Sequence, residues 1–266
     1  MKDLQFVKLG GSLITEKQKP QTPRLDVLQR LIHEIATFRS EHPDTPLILG
    51  HGSGSYGHMA AQKYQTQKGV QTREQWLGFV EVWRQARALN NLAVEACLAA
   101  KLPVIVFPPS AMITSTAGQV TAWNITPLRR ALIAGLIPIV YGDVVFDRRL
   151  GGTILSTERL FLELAPRLRP QRILLCGQEE GVWTDYPQRQ HLAQRITPEN
   201  FPHIMPALQG SSAPDVTGGM LEKVKNMLDL VQRIPHLEVL IFSGEQAGSL
   251  IQALRGEAPG TVISAF

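Results

Sequence analysis

Short apolar runs alternate with longer amphipathic stretches along this chain. Leu4 to Leu9, Leu47 to Leu49, Val104 to Phe107, Ile137 to Tyr141, Ile173 to Cys176 and Val239 to Phe242 are rich in β-formers, and several are apolar at consecutive positions. A strand apolar on both faces is covered on both faces, so the pattern predicts a mainly parallel sheet between helical layers. Between the strands, Leu28, Leu31, Ile32, Ile35 and Phe38 recur at helical spacing, and a second helix is expected from about Glu74 to Ala100. A third amphipathic helix would bury Met220, Val224, Met227, Leu228 and Val231. Pro166 and Pro170 bracket a basic turn ahead of the strand beginning at Arg172, which places a lobe boundary near Leu164 to Pro170 and divides the chain into 1–166 and 167–266. The polar, proline-containing stretch from Gln188 to Pro214 reads as an irregular excursion. No fixed-period repeat or low-complexity tract interrupts the alternation.

Composition narrows the class of protein. The chain has 266 residues, of which 44% are hydrophobic and 19% charged, an ordinary balance for a folded α/β body and far from that of disorder. Its net charge of +4 suits anionic small molecules, while no run of Lys and Arg interleaved with aromatics forms a nucleic-acid stripe. Cys97 and Cys176 lie in helix-like and strand-like apolar contexts and read as buried thiols of a reducing cytosol. No stretch reaches the roughly 18 apolar residues of a membrane span, and the start runs directly into a strand pattern, so a cytoplasmic location is expected.

Three glycine-rich loops carry the candidate chemistry. Lys8-Leu9-Gly10-Gly11-Ser12 follows the first strand, where two glycines leave backbone amides open to an anion and Lys8 adds charge. Gly50 to His58 follows the second strand and leads into a helix expected at Met59, so its amides and the helix dipole favour a phosphate. Gly52 to Gly57 also spells G-x-G-x-x-G, but the region about 20 residues on is helical and offers no second strand ending in an acid, which argues against a dinucleotide site. His58 is either an ordinary surface or core histidine or a donor to a phosphate oxygen. In the third loop, Gly218 and Gly219 open a helix with Lys223 one turn in, either a capped amphipathic helix with a solvated lysine or another anion site. No G-x-x-x-x-G-K-[ST] run occurs, so any nucleotide is gripped by several loops and not by a P-loop.

Taken together, these loops with Tyr141-Gly142-Asp143-Val144 and Asp215-Val216-Thr217-Gly218-Gly219-Met220 resemble isopentenyl phosphate kinases of the amino-acid-kinase superfamily in order and spacing, over nearly the whole chain. The lysine and glycines of the first loop are shared with amino-acid kinases at large. A histidine closing the second loop is similar to the isopentenyl phosphate and fosfomycin kinase branch.

The resemblance implies an α/β fold, a three-layer αβα sandwich with a mainly parallel central sheet, an N-terminal lobe for the acceptor, a C-terminal lobe for ATP, and a homodimer. It implies transfer of the γ-phosphoryl group of ATP to isopentenyl phosphate, with Mg²⁺ carried mainly on the ATP phosphates and no protein metal ligands. Carried over residue by residue, Lys8 and Lys223 would neutralise the transferring phosphoryl group, Lys17 resembles the second catalytic lysine found after the first loop, His58 would hold the acceptor phosphate, and Asp143 would position the lysines. Gly10, Gly11, Ser12, Gly54, Gly181, Trp183, Gly218 and Gly219 would contact ATP, and Gly52, Ser53, Gly54, Gly152 and Thr153 the acceptor. Two departures stand out: Ser156-Thr157-Glu158 where Ser-Gly-Asp is frequent, and Tyr186 where a carboxylate often precedes Pro187. The alternatives are a kinase of another phosphate or phosphonate such as fosfomycin, and a non-catalytic nucleotide-binding protein of the same fold. Trp76, Phe79, Val80 and Trp83 share one helical face and are either plain core or an acceptor tail slot.

Overall fold

The computed structural model describes residues 3–209 and 219–266. The chain begins with β1 (Gln5–Leu9), α1 (Gly11–Ile14), α2 (Leu25–Glu41), β2 (Leu47–His51) and α3 (Gly54–Tyr64). A 3₁₀ turn at Thr66–Lys68 leads to the long α4 (Arg73–Ala99), then β3 (Val104–Val106) and α5 (Pro109–Met112). Next come β4 (Ile113–Thr116), β5 (Gln119–Trp123), α6 (Thr126–Ile133), β6 (Ile137–Tyr141), β7 (Asp143–Asp147), β8 (Gly151–Leu155) and α7 (Thr157–Leu168). The remainder is β9 (Arg172–Gly177), β10 (Arg195–Ile196), α8 (Phe201–Gln209), α9 (Gly219–Arg233), β11 (Glu238–Ser243), α10 (Ser249–Leu254) and β12 (Thr261–Ile263).

Eight strands form one sheet in the order β10-β12-β11-β9-β1-β2-β6-β3, with every neighbouring pair parallel except β11 with β12. All six expected strands are in it. Their continuous apolar runs follow from burial on both faces: Phe6, Ile48, Val140, Ile173 and Val239 pack into one layer with α7 and α9, and Val7, Leu49, Ile139, Leu174 and Leu240 into the other with α2 and α10. The helical stripes behave as their spacing requires, since Leu28, Leu31, Ile32, Ile35 and Phe38 are buried, as are Val224, Met227, Leu228 and Val231. Cys97 and Cys176 are free and buried, and burial pushes the Cys97 thiol up to about 12.

Two features differ from the sequence expectation. A second sheet, β5-β4-β7-β8, stands beside the first. Its β7–β8 and β4–β5 turns are gathered on Asp147, which accepts from the amides of Ala117, Gly118, Arg149 and Leu150 and from the Ser115 hydroxyl. These strands are short and half-polar, so they lack the apolar run that revealed the others. The stretch read as an irregular excursion contains β10 and the helix α8, whose apolar Ile204 and Leu208 are buried against the core despite Pro206 within it. The expected boundary falls in the last turns of α7, which runs through Pro166 and ends at Arg169 with φ 51°. The eight-stranded sheet continues across that point, drawing four strands from each side of it. Among the described residues no helix is long and apolar enough to cross a membrane.

Candidate active site

The carboxyl ends of β1 and β2 lie side by side in parallel register, with Lys8 opposite Gly50 and Leu9 opposite His51, so the two glycine loops leave the sheet together. That is where an open α/β sheet places its ligands. The loops interlock backbone against backbone. A Cβ added at Gly11 would lie 2.3 Å from the Gly54 nitrogen, one at Gly52 2.8 Å from the Gly11 nitrogen, and one at Gly54 2.1 Å from Thr15 Oγ1. Gly54 also has φ +48°, a conformation that costs side-chain-bearing residues. These glycines are thus required first by loop-on-loop packing, and the openness to an anion is its result. Thr15 pins the junction: its hydroxyl donates to the Gly11 carbonyl at 2.7 Å and accepts from the Ser55 amide at 2.9 Å.

The helix expected at Met59 begins five residues earlier, at Gly54. The glycine loop is therefore largely the first turns of α3, with Ser53 at its N-cap and His58 half-buried in its second turn. The first amides of a helix have no partner within it. Gly11 and Ser12 at the start of α1 and Gly54 at the start of α3 line a cleft of about 470 Å³.

Lys8, Lys17, His58 and Lys223, drawn from three distant parts of the chain, line this one cleft. Gly10, Gly11, Ser12, Gly52, Ser53, Gly54, Asp143, Gly181, Trp183 and Gly219 line it too. Gly218 lies outside the described residues. Gly152 and Thr153 do not line it: Gly152 sits under the Phe79 ring, and the buried Thr153 hydroxyl donates to the Gln67 carbonyl. As neighbours on β8 the two face opposite sides of the strand, Gly152 toward Phe79 and Thr153 toward the turn at Gln67.

The acid that meets Lys8 is Glu158, at 2.8 Å, and not Asp143. Burial alone would raise the Glu158 carboxyl, but attraction from Lys8 and Lys223 outweighs it and holds the group at about 2. Each residue of the departure at 156–158 is engaged. Ser156 caps α7 by accepting from the Arg159 amide, Thr157 donates its hydroxyl to the His51 carbonyl at 2.6 Å, and Glu158 anchors the lysine. Asp143 lies on the cleft floor, where its oxygens accept from the amides of Ser110 and Val144. Burial pushes it up to about 6. A buried carboxyl so raised beside a cation-lined cleft is typical of a group held for function.

Beyond the loops the cleft has two differing ends. One is walled by Val82 and Ala86 of α4, Met59 and Ala61 of α3, and Ile154 of β8. The Trp76/Phe79/Val80/Trp83 stripe does not supply this wall: Phe79 is core, packed edge-on to Trp76 at 5.2 Å, and Val80 is 55% exposed. Val82 and Ala86 lie on the neighbouring face of the same helix. The other end is bounded by Gly177, Gln178, Glu179, Trp183, Tyr186 and Arg189. There the Trp183 indole donates to Glu179, which also pairs with Arg189 at 3.0 Å, and the Arg189 guanidinium stands over the Tyr186 ring. Gln178, Glu179 and Arg189 belong to no glycine motif, and only the turn after β9 brings them here.

Residues 3–243 match the model of the amino acid kinase family. The chain belongs to that family. Two curated relatives, both called isopentenyl phosphate kinase, are from Methanothermobacter thermautotrophicus, 33% identical over 95% of each chain, and Methanocaldococcus jannaschii, 30% identical over 98% of each. A solved structure described as "X-ray structures of isopentenyl phosphate kinase" superposes with a TM-score of 0.82 at 29% identity, covering 98% of this chain and 100% of the other. As an amino acid kinase the chain uses ATP as a substrate, and its glycine loops meet in the cleft at the carboxyl ends of β1, β2 and β9.

Proposed function

We propose that this chain transfers the γ-phosphoryl group of ATP to isopentenyl phosphate, giving isopentenyl diphosphate and ADP. The convergence of Lys8, Lys17, His58 and Lys223 on one cleft with an apolar end carries the reading. A phosphate oxygen of the acceptor attacks the γ-phosphorus and the bond to the β-phosphate oxygen breaks. No protein nucleophile is needed, so the protein contributes position and charge. Lys8, fixed by Glu158, and Lys223 neutralise the phosphoryl group in transit, with Lys17 at the rim. His58 and the amides of Ser53 and Gly54 hold the acceptor phosphate. Gly10, Gly11, Ser12 and Gly219 approach the ATP phosphates, and the turn carrying Gly181 and Trp183 flanks the nucleoside.

Residues 1–166 serve the acceptor and 167–266 the nucleotide in this reading. Mg²⁺ enters on the ATP phosphates, where it supplies charge neutralisation. The lining carboxylates fit that role: Glu158 is engaged by Lys8, and Asp143 is the remaining one that would hold the ion through its hydration shell. A cytoplasmic homodimer completes the proposal.

The apolar wall of Val82, Ala86 and Ile154 favours a hydrocarbon tail over the small polar epoxide of fosfomycin. The Lys8–Glu158 pair, which fixes the lysine in the cleft, favours catalysis over a silent nucleotide-binding protein. The test is turnover of isopentenyl phosphate by purified protein with Mg²⁺-ATP, with kcat/KM compared against fosfomycin. Failure to phosphorylate any of a panel of prenyl phosphates would reject the assignment.

A further inference from the structure

His51 belongs to no part of the reaction described above, yet it lies directly beneath the acceptor loop. It is 3% exposed at the end of β2, stacked on Tyr141 with ring centroids 5.4 Å apart and planes within 1°. Its Nδ1 is 3.1 Å from the Gly52 carbonyl oxygen, and its Nε2 is 3.1 Å from the Asn90 side-chain amide. A carbonyl can only accept, so Nδ1 carries the proton. Asn90 is itself buried on α4, and its amide can present either nitrogen or oxygen to Nε2. The His51 main-chain carbonyl accepts from the Thr157 hydroxyl and the Gly142 amide. One residue thus ties the acceptor loop to α4, to the entrance of α7 next to Glu158, and to the β6–β7 turn next to Asp143.

The peptide between Gly52 and Ser53 explains what such anchoring accomplishes. In a planar trans peptide the C=O of one residue and the N–H of the next point in opposite directions. The Gly52 carbonyl is drawn inward to the buried ring, so the Ser53 N–H is turned outward to the cleft that Ser53 lines. Gly52 has no side chain to hold this peptide in one of its two orientations, and a flipped peptide would present a carbonyl oxygen to the acceptor phosphate. We infer that His51 is a positioning residue for phosphate binding, its Nδ1–H fixing the Gly52–Ser53 peptide so that the Ser53 amide faces the acceptor. The inference rests on the acceptor assignment above, and the following experiment separates the two.

Three substitutions distinguish the donor from mere packing. Asparagine places an amide nitrogen as many bonds from Cβ as Nδ1 and can still reach the Gly52 carbonyl. Glutamine places its amide near the Nε2 position and serves Asn90 alone. Phenylalanine, paired with Asn90→Leu so that no amide is orphaned, keeps the stack on Tyr141 and removes both nitrogens. With isopentenyl phosphate as acceptor, His51→Gln and the His51→Phe/Asn90→Leu pair should raise the acceptor KM about tenfold, the loss of one phosphate hydrogen bond, with the ATP KM within about twofold. His51→Asn should restore most of it. Equal acceptor KM for the Asn and Gln variants would overturn the inference. Independently of which acceptor the enzyme uses, inorganic phosphate titrated into ¹⁵N-labelled protein should shift the Ser53 amide resonance in wild type and His51→Asn but not in His51→Gln. An equal shift in all three also overturns it, whereas a wild-type enzyme inactive on prenyl phosphates, with the expected pattern of amide shifts, rejects only the acceptor.

Discussion

Replacing Asp143 by asparagine should make the protein more stable at neutral pH while impairing it as a catalyst. Burial raises this carboxyl from 3.8 to about 6. A carboxyl raised on folding binds its proton more tightly in the folded state. It therefore carries no penalty below the unfolded value near 4, and the penalty grows as pH rises from 4 to 6 and is constant above. Two pH units correspond to about 3 kcal/mol. Asparagine cannot recover all of this, because Asp143 accepts with both oxygens, from Ser110 at 3.3 Å and Val144 at 2.8 Å, and the amide offers one acceptor. Losing one such bond costs about 1 kcal/mol, which leaves a gain of about 2 kcal/mol. Urea denaturation of Asp143→Asn and wild type at pH 8 should show that gain, and at pH 4 the variant should be equal or slightly weaker. For a protein of this size the pH 8 difference amounts to roughly 4–8 °C in Tm. A variant destabilised equally at both pH values would refute the reasoning, since the carboxylate would then be stabilised by a partner and not penalised by burial.

Other consequences follow from the same geometry. His58→Ala should lower kcat/KM for the acceptor by about 10- to 100-fold, the worth of a hydrogen bond to a charged group, with the ATP KM nearly unchanged; steady-state kinetics with each substrate varied will tell. Glu158→Gln should reduce kcat by about a hundredfold by releasing Lys8, while Glu158→Asp should recover part of it, read in single-turnover experiments. Glu158 is held at about 2, below its ordinary value, so its stabilising contribution is full above pH 4.5 and is lost as pH falls toward 2. Wild type should accordingly lose more stability than Glu158→Gln over that window in urea titrations. Gly54→Ala should cost at least about 2 kcal/mol through its positive φ and the collision with Thr15, and Thr15→Ser should leave that cost in place because the clashing oxygen remains.

Much of this molecule is written locally. The runs at Phe6, Ile48, Val140 and Ile173 are apolar on both faces because the strands are covered on both faces, and that relation between pattern and burial needs no knowledge of the partner. The glycine loops with Lys8, His58 and Lys223 are legible for the same reason: a backbone that approaches another backbone or an anion excludes side chains wherever it occurs. The assignment of partners is different in kind. Which acid meets Lys8 depended on α7 entering beside β1, so the family resemblance pointed to Asp143 and the fold chose Glu158. The apolar wall came from Val82 and Ala86 and not from the aromatic stripe because the rotation of α4 about its axis is set by what it packs on. His51 carried no signal at all, since a histidine at a strand end acquires its task only from Gly52, Asn90 and Tyr141 once three segments have met. Periodicity fixes what a segment must bury, and contacts between segments far apart in the chain are settled only when all of them pack at once.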